Sequence, residues 1–191
     1  EYKRIEHKLV QVLSSDRRAA KKILSAYLNL LTVYADQPYD QKPILYPDSD
    51  VPIVEPENIG GTDTLGDKEQ KTLEIVKAAI QNGERALIYT SWVRTDSQQK
   101  LKKLLTDEGY RTEILTDKIK TTDREDWVQK KLAAGMQVLI VNPSLIETGL
   151  DLNAFTTLVF YSMGYKLFTL RQASRRSWRI NQKAPAVKVY M

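Results

Sequence analysis

Two periodicities divide the chain. Up to Tyr34 the apolar positions recur three and four residues apart. Ile5, Leu9, Val12 and Leu13 make one stripe, and Ala20, Ile23, Leu24, Tyr27, Leu28 and Leu31 make another. That spacing predicts amphipathic helices, each burying one face. Ser14-Ser15-Asp16 between the stripes is N-cap chemistry, because a short oxygen-bearing side chain accepts the N–H groups that a helix start leaves unpaired. Residues 1–35 are thus expected to be a helical lead-in of two helices. From Asp36 to Gly66 the periodicity stops: Pro38, Pro43, Pro47, Pro52, Pro56 and Gly60-Gly61 interrupt regular structure. This composition predicts a Pro/Gly-rich irregular loop over 36–66.

From Asp67 the pattern alternates between the two element types. Leu73, Val76, Ala79 and Ile80 form a helix face that stops at Asn82-Gly83, and Ala86–Thr90 is a short apolar run of buried-strand type. A helix around Leu101, Leu104 and Leu105 closes at Gly109, followed by a strand over Arg111–Leu115. Trp127, Val128 and Leu132 mark another helix; Gln137–Val141, Thr157–Tyr161 and Ala186–Tyr190 are further strands. Strands separated by helices of about ten to fifteen residues predict an α/β fold over 67–191, a parallel sheet with crossover helices on its faces.

Charge changes the picture more than composition does. The net charge is +5, with 42% hydrophobic and 28% charged residues, the profile of an ordinary globular domain. Its distribution is uneven. After Asp151 there is no acidic residue, while Lys166, Arg171, Arg175, Arg176, Arg179, Lys183 and Lys188 all fall there, leaving 22 basic against 24 acidic residues upstream. A positive field at one end implies a polyanionic partner. There is no cysteine and a single histidine, His7, which excludes disulfides, thiolate sites and histidine-based zinc sites. No apolar run approaches the length of a membrane span. Gly61 to Lys68 imitates a phosphate loop in its glycine spacing, but Asp67 holds the lysine position and would repel phosphate.

The densest candidate chemistry is Gln172-Ala173-Ser174-Arg175-Arg176-Ser177-Trp178-Arg179-Ile180-Asn181-Gln182. On a continuous helix Gln172, Arg176 and Arg179 share a face, and two guanidinium forks beside a glutamine suit an anionic polyoxygen ligand. A solvated basic helix is the alternative reading of the same run. Strand ends supply the other candidates, because ligands of parallel sheets gather there. After the first strand, Ser91, Trp92 and Arg94 offer a hydroxyl, an aromatic platform and a cation to a nucleic-acid backbone, although a tryptophan beside a strand end is also ordinary core. After Val141, Gly149 permits close backbone approach, and Asp151 accepts a ribose hydroxyl.

These motifs, in this order, resemble the second RecA-like lobe of superfamily 2 helicases and translocases. Q-A-x-x-R-x-x-R-I-x-Q at Gln172–Gln182 is most similar to the SWI/SNF-type DNA-dependent ATPases. The resemblance implies that Arg176 and Arg179 reach across a cleft to the nucleotide as arginine fingers and that Gln172 orders the nucleotide end of the motif. Gly149 and Asp151 then fall in the motif ending G-x-(D/N)-hydrophobic. The turn carrying Thr116 and Lys118, the Ser91-Trp92-Arg94 stretch and Thr148 fall where the family grips nucleic acid. Arg124 matches a recurring arginine of the family, and Thr122 reads as the N-cap of the helix that it opens. The chain departs from the family where Arg175 replaces a glycine or acid, Trp178 a glycine or histidine, and Asn181 a glycine. Ile146 and Glu147 also replace a small, glycine-rich stretch, and Pro143 a serine or threonine.

The implied activity is ATP-driven translocation on nucleic acid, with double-stranded DNA and the N-terminal RecA-like lobe as partners and no membrane. No G-x-x-x-x-G-K-(S/T) and no D-E-x-(H/D) occurs, so ATP and Mg2+ are expected to be held mainly by the other lobe. The chain is expected to be a fragment, inactive alone, of a cytoplasmic protein, or a nuclear one in a eukaryote. The RNA-helicase branch and a non-enzymatic basic binding module are the alternatives.

Overall fold

Asp16 divides the N-terminal helical stretch. Its carboxylate accepts the backbone N–H of Arg18 at 3.0 Å and of Ala19 at 2.9 Å, so it starts α2 (Arg17–Tyr34) directly after α1 (Tyr2–Ser15). The structure is a computed structural model; it describes all residues except 62, 92–95, 147–149, 163–166, 179 and 181, and it leaves the side chains of 17 and 167–170 undescribed. Contacts divide the chain into two units, Glu1–Thr64 and Leu65–Met191.

In the first unit α1 and α2 bury Ile5, Leu9, Val12, Ile23, Tyr27, Leu30 and Tyr34 against one another. Leu13, Leu24 and Leu28, expected within the stripes, stay between 37% and 40% exposed. Each lies one residue, about 100° of helix, past a buried position. The segment expected to be irregular contains a short antiparallel pair, β1 (Ile44–Leu45) with β2 (Pro52–Val54). Ile44, Ile53 and Val54 join the helical core. Pro52 is tolerated because it stands first in its strand, where a missing ladder donor costs least.

The second unit runs α3 (Asp67–Gln81), β3 (Ala86–Tyr89), α4 (Ser97–Asp107), β4 (Thr112–Leu115), α5 (Arg124–Ala133), β5 (Val138–Val141), β6 (Thr157–Phe160), α6 (Leu167–Ser174) and β7 (Lys188–Tyr190). The strands form one five-stranded sheet in the order β4-β5-β3-β6-β7, every neighbouring pair parallel. Strand alternation sorts the core into two layers. Leu87, Tyr89, Leu139, Val141, Leu158 and Phe160 face Val128 of α5 and Ala173 of α6. Ala86, Ile88, Val138, Ile140 and Val159 face Val76 of α3 and Leu101 and Leu105 of α4. Gly83 and Gly109, the expected helix stops, take φ of 72° and 87°, left-handed positions where a side chain is disfavoured. No helix among the described residues is long and apolar enough to cross a membrane.

Candidate functional site

The strand order reverses direction at β3. The chain leaves β3 toward β4 and β5 but leaves β6 toward β7, so the crevice of the sheet opens between the carboxyl ends of β3 and β6. Three residues lock those ends together. The Ser91 N–H donates to the Ser162 hydroxyl at 2.6 Å and the Ser91 hydroxyl donates to the Ser162 carbonyl at 3.0 Å. From the neighbouring strand, Asn142 Nδ2 donates to the Ser91 carbonyl at 3.0 Å. Ser91 thus sits at the expected strand end with its hydroxyl engaged within the fold. Trp92 and Arg94 lie outside the described residues.

The Gln172–Gln182 stretch departs from the expected continuous helix. α6 stops at Ser174. Beyond it the backbone closes three-residue turns, with the N–H of Arg175 on the Gln172 carbonyl at 3.1 Å, Arg176 on Ala173 at 3.1 Å and Trp178 on Arg175 at 3.3 Å. The Ala173 carbonyl, which takes the Arg176 N–H, also accepts the Tyr89 hydroxyl at 3.0 Å. Arg176 thus lies beyond the end of α6, on a bend rather than on the helix that carries Gln172. Arg179 lies outside the described residues.

The turn is nevertheless held to the Asp151 loop. The Leu152 N–H donates to the Arg176 carbonyl at 3.4 Å. Gln182 Nε2 bridges the Ser177 carbonyl at 2.6 Å and the Asn153 carbonyl at 3.0 Å, while its Oε1 accepts the Ala184 N–H at 2.9 Å. Asp151 and Arg176, both half-buried, are therefore brought together by the backbone, while Gly149 falls outside the described residues. Burial pushes the Tyr89 phenol well above its ordinary pKa, against a smaller lowering by the Arg176 charge. Its ring packs on Phe160 at 4.8 Å between centroids.

A second grouping joins the loops after β4 and β5. Thr116 is half-buried and its carbonyl accepts the Ile119 N–H at 3.3 Å; Lys118 is exposed. Arg124 donates from Nε to the Ile119 carbonyl at 3.2 Å and from Nη1 to the Leu145 carbonyl at 2.7 Å, so one guanidinium spans both loops. Thr122 does not cap α5. It lies inside a 3₁₀ turn, Thr121–Asp123, and its hydroxyl donates to the Asp123 carboxylate at 2.7 Å. Thr148 lies outside the described residues.

Sequence reasoning missed the residues that hold these loops. Buried Glu69 accepts the Tyr161 hydroxyl at 3.0 Å and pairs with Lys100 at 3.1 Å, tying α3 and α4 to the end of β6. Gln98 Nε2 donates to the Thr90 hydroxyl at 2.6 Å. A carboxylate on the stripe Glu69, Leu73, Val76 was a readable signal; the Ser91–Ser162 and Asn142 contacts had none. At the far end of the sheet a cavity of about 370 Å³ lies between α4, β4 and α5. Of its three cations, Lys102, Arg111 and Lys131, the two lysines pair with Glu113. Burial raises that carboxyl, but the two lysine hydrogen bonds outweigh it and bring it below the ordinary value.

The helicase conserved C-terminal domain family model matches residues 67–181. No curated protein sequence matches the chain significantly. Among solved structures, the SWI2/SNF2 ATPase C-terminal domain of Sulfolobus solfataricus is similar with a TM-score of 0.61 at 16% identity, covering 84% of this chain and 64% of that one. The C-terminal part of the Fun30 ATPase domain gives 0.58 at 18% identity over 66% of this chain and 42% of that one. T4 UvsW gives 0.50 at 16% identity over 64% and 24%. At these identities the likeness is one of fold, a RecA-like parallel sheet flanked by helices, and the chain spans less than two thirds of each of these relatives.

Proposed function

Because the chain belongs to the helicase conserved C-terminal domain family, we propose that it is the second motor lobe of an ATP-dependent DNA helicase or translocase. Phosphoryl transfer asks the protein for positioning and for neutralisation of developing charge. In this reading Arg176 and Arg179 are the arginine fingers, and Gln172 orders the nucleotide end of their turn. Gly149 and Asp151 line the nucleotide side of the neighbouring loop.

The observation that supports this best is the junction at Arg176. The Tyr89 hydroxyl bonds the Ala173 carbonyl and the Arg176 carbonyl receives the Leu152 N–H. The backbone carrying Arg176 is thereby held beside the Asp151 loop, and a cation placed there suits an anionic ligand. Ser91, Trp92, Arg94, Thr116, Lys118 and Thr148 form the nucleic-acid grip in this reading, with Arg124 bridging the Ile119 and Leu145 carbonyls beside Thr116 and Lys118. Duplex DNA is the assigned substrate, on the Q-A-x-x-R-x-x-R-I-x-Q pattern.

The sequence has no G-x-x-x-x-G-K-(S/T), and Mg2+ is assigned, with the phosphate loop, to an N-terminal RecA-like lobe. Bound there, the metal neutralises charge on the phosphates. By itself the chain is not expected to hydrolyse ATP.

The test is ATPase turnover of the parent protein with and without duplex DNA, for wild type and Arg179→Ala. Loss of DNA-stimulated turnover with nucleotide binding retained is expected. Unchanged turnover removes Arg179 from the mechanism and leaves a basic binding module as the better account.

A further inference from the structure

The strand order puts β4 at an edge of the sheet, with β5 on its inner side and no strand on its outer side among the described residues. The Arg111 carbonyl accepts the Val138 N–H at 3.2 Å, and Glu113 stands in register with Leu139. Alternate residues of a parallel strand turn their backbone groups to the same side. Those of Arg111 and Glu113 therefore face β5, and those of Thr112 and Ile114 face outward. A row of outward N–H and C=O groups on a β-prone run is a template for another chain. The cavity of about 370 Å³ adjoins this strand and is lined by Thr112 and Glu113 themselves.

One ion pair covers the row. Ile114 belongs to the core layer of α3 and α4, and Leu115 to the layer of α5 and α6. Glu113, two residues before Leu115, shares the α5 face, where it meets Lys131 of α5. Its other partner comes from the opposite layer. Lys102 stands on α4 beside Leu101, yet its Nζ donates to Glu113 Oε2 at 3.2 Å. Because β5 occupies the inner side, this pair closes around the outer side of β4. Thr112 and Ile114 are only 6% and 9% exposed, although their strand is an edge. Lys131 makes no such crossing; it stays in its own layer, 5.6 Å from the centroid of the Trp127 ring.

We propose that the Lys102–Glu113 pair is a strap over the β4 edge, and that the surface beneath it takes β4 of a second copy when the strap is open. A two-fold axis makes that pairing antiparallel. Thr112 of each copy then stands opposite Ile114 of the other, and the two exchange their outward N–H and C=O groups. Lys131 remains with Glu113 and offsets the repulsion where the two Glu113 carboxylates meet across the axis. A partly exposed ion pair contributes little to stability, so the consequence of the strap lies in what it covers.

The experiment is sedimentation velocity of the 191-residue chain for wild type, Lys102→Ala and Lys131→Ala, at about 0.1 to 1 mM, where unpaired edges associate. Each variant loses one lysine and one ion pair to Glu113, but only Lys102→Ala opens the strap. Lys102→Ala is expected to move toward twice the monomer mass, while wild type and Lys131→Ala stay monomeric. In the Lys102→Ala dimer, amide exchange at Thr112 and Ile114 should slow about ten-fold or more relative to the same variant diluted to monomer. Alanine is the best helix former, so an unchanged circular dichroism spectrum and unfolding midpoint are expected. Lys102→Gln, which also lacks the ion pair, should behave as Lys102→Ala does. Monomeric Lys102 variants overturn the proposal. So does equal association by wild type or Lys131→Ala, or a dimer in which Thr112 and Ile114 exchange as fast as in the monomer. Mass and exchange are read without nucleotide or DNA, so the strap stands or falls separately from the motor-lobe reading.

Discussion

The phenolic hydroxyl of Tyr89 donates to the backbone carbonyl of Ala173 at 3.0 Å, joining positions 84 residues apart in the chain. Tyr89 is the last residue of β3 and is fully buried. Ala173 is one residue from the end of α6. The bond ties the end of β3 to the last turn of α6, three residues before Arg176. Tyr89→Phe keeps the ring and its packing on Phe160 while removing the donor. The expected loss in unfolding free energy is about 1 kcal/mol, measured by urea denaturation at neutral pH.

The same residue predicts an alkaline limb. Burial raises the folded-state pKa of Tyr89 above the unfolded value near 10.0. Below that value the phenol is neutral in both states. As pH rises through it the unfolded chain releases a proton that the folded chain retains, so stability falls with increasing pH. Denaturation midpoints taken above about pH 10 should decline less steeply for Tyr89→Phe than for wild type.

The sheet was legible because its strands are short apolar runs between helical stripes, and because Gly83 and Gly109 punctuate them. The Asp16 cap was legible because capping is local. What stayed hidden depends on partners distant in the chain. α6 ends at Ser174, where Tyr89 from β3 bonds its last turn, whereas Gln172, Arg176 and Arg179 alone show only helical spacing. The Ser91 hydroxyl, available to a ligand on paper, is engaged by Ser162. β1 and β2 were masked by the prolines around them, although Pro52 sits where an edge strand tolerates one.

Glu84 predicts an acid limb at the opposite edge of the sheet. Hydrogen bonds from Lys188 and then Thr157 lower its carboxyl below the ordinary 4.5. A lowered folded-state pKa contributes stability that is present above the unfolded value and lost as pH falls through the folded one. Glu84→Gln should abolish that dependence and release β7. The readout is amide exchange at Lys188, whose N–H donates to the Thr156 carbonyl at 2.8 Å: faster exchange at neutral pH in the variant, and convergence of the two proteins in acid.

Arg124 reaches two carbonyls, those of Ile119 and Leu145, with one guanidinium. Lysine has no fork to span both. In the parent protein Arg124→Lys should weaken DNA binding about ten-fold, equivalent to about 1.4 kcal/mol, by letting the Thr116–Lys118 turn drift from the loop after β5. An unchanged affinity in a filter-binding or anisotropy titration would remove Arg124 from the positioning of the grip.

The most direct test of the motor-lobe account is single-turnover ATP hydrolysis by the parent protein on duplex DNA, comparing wild type with Arg176→Lys. A finger works through the fixed fork of its guanidinium, so lysine should lower the hydrolysis step about 10³-fold. Affinity for a non-hydrolysable nucleotide should change less than about ten-fold, because ground-state charge is kept. Hydrolysis by Arg176→Lys within a few-fold of wild type would contradict the assignment, leaving Arg176 as a simple charge on a basic surface.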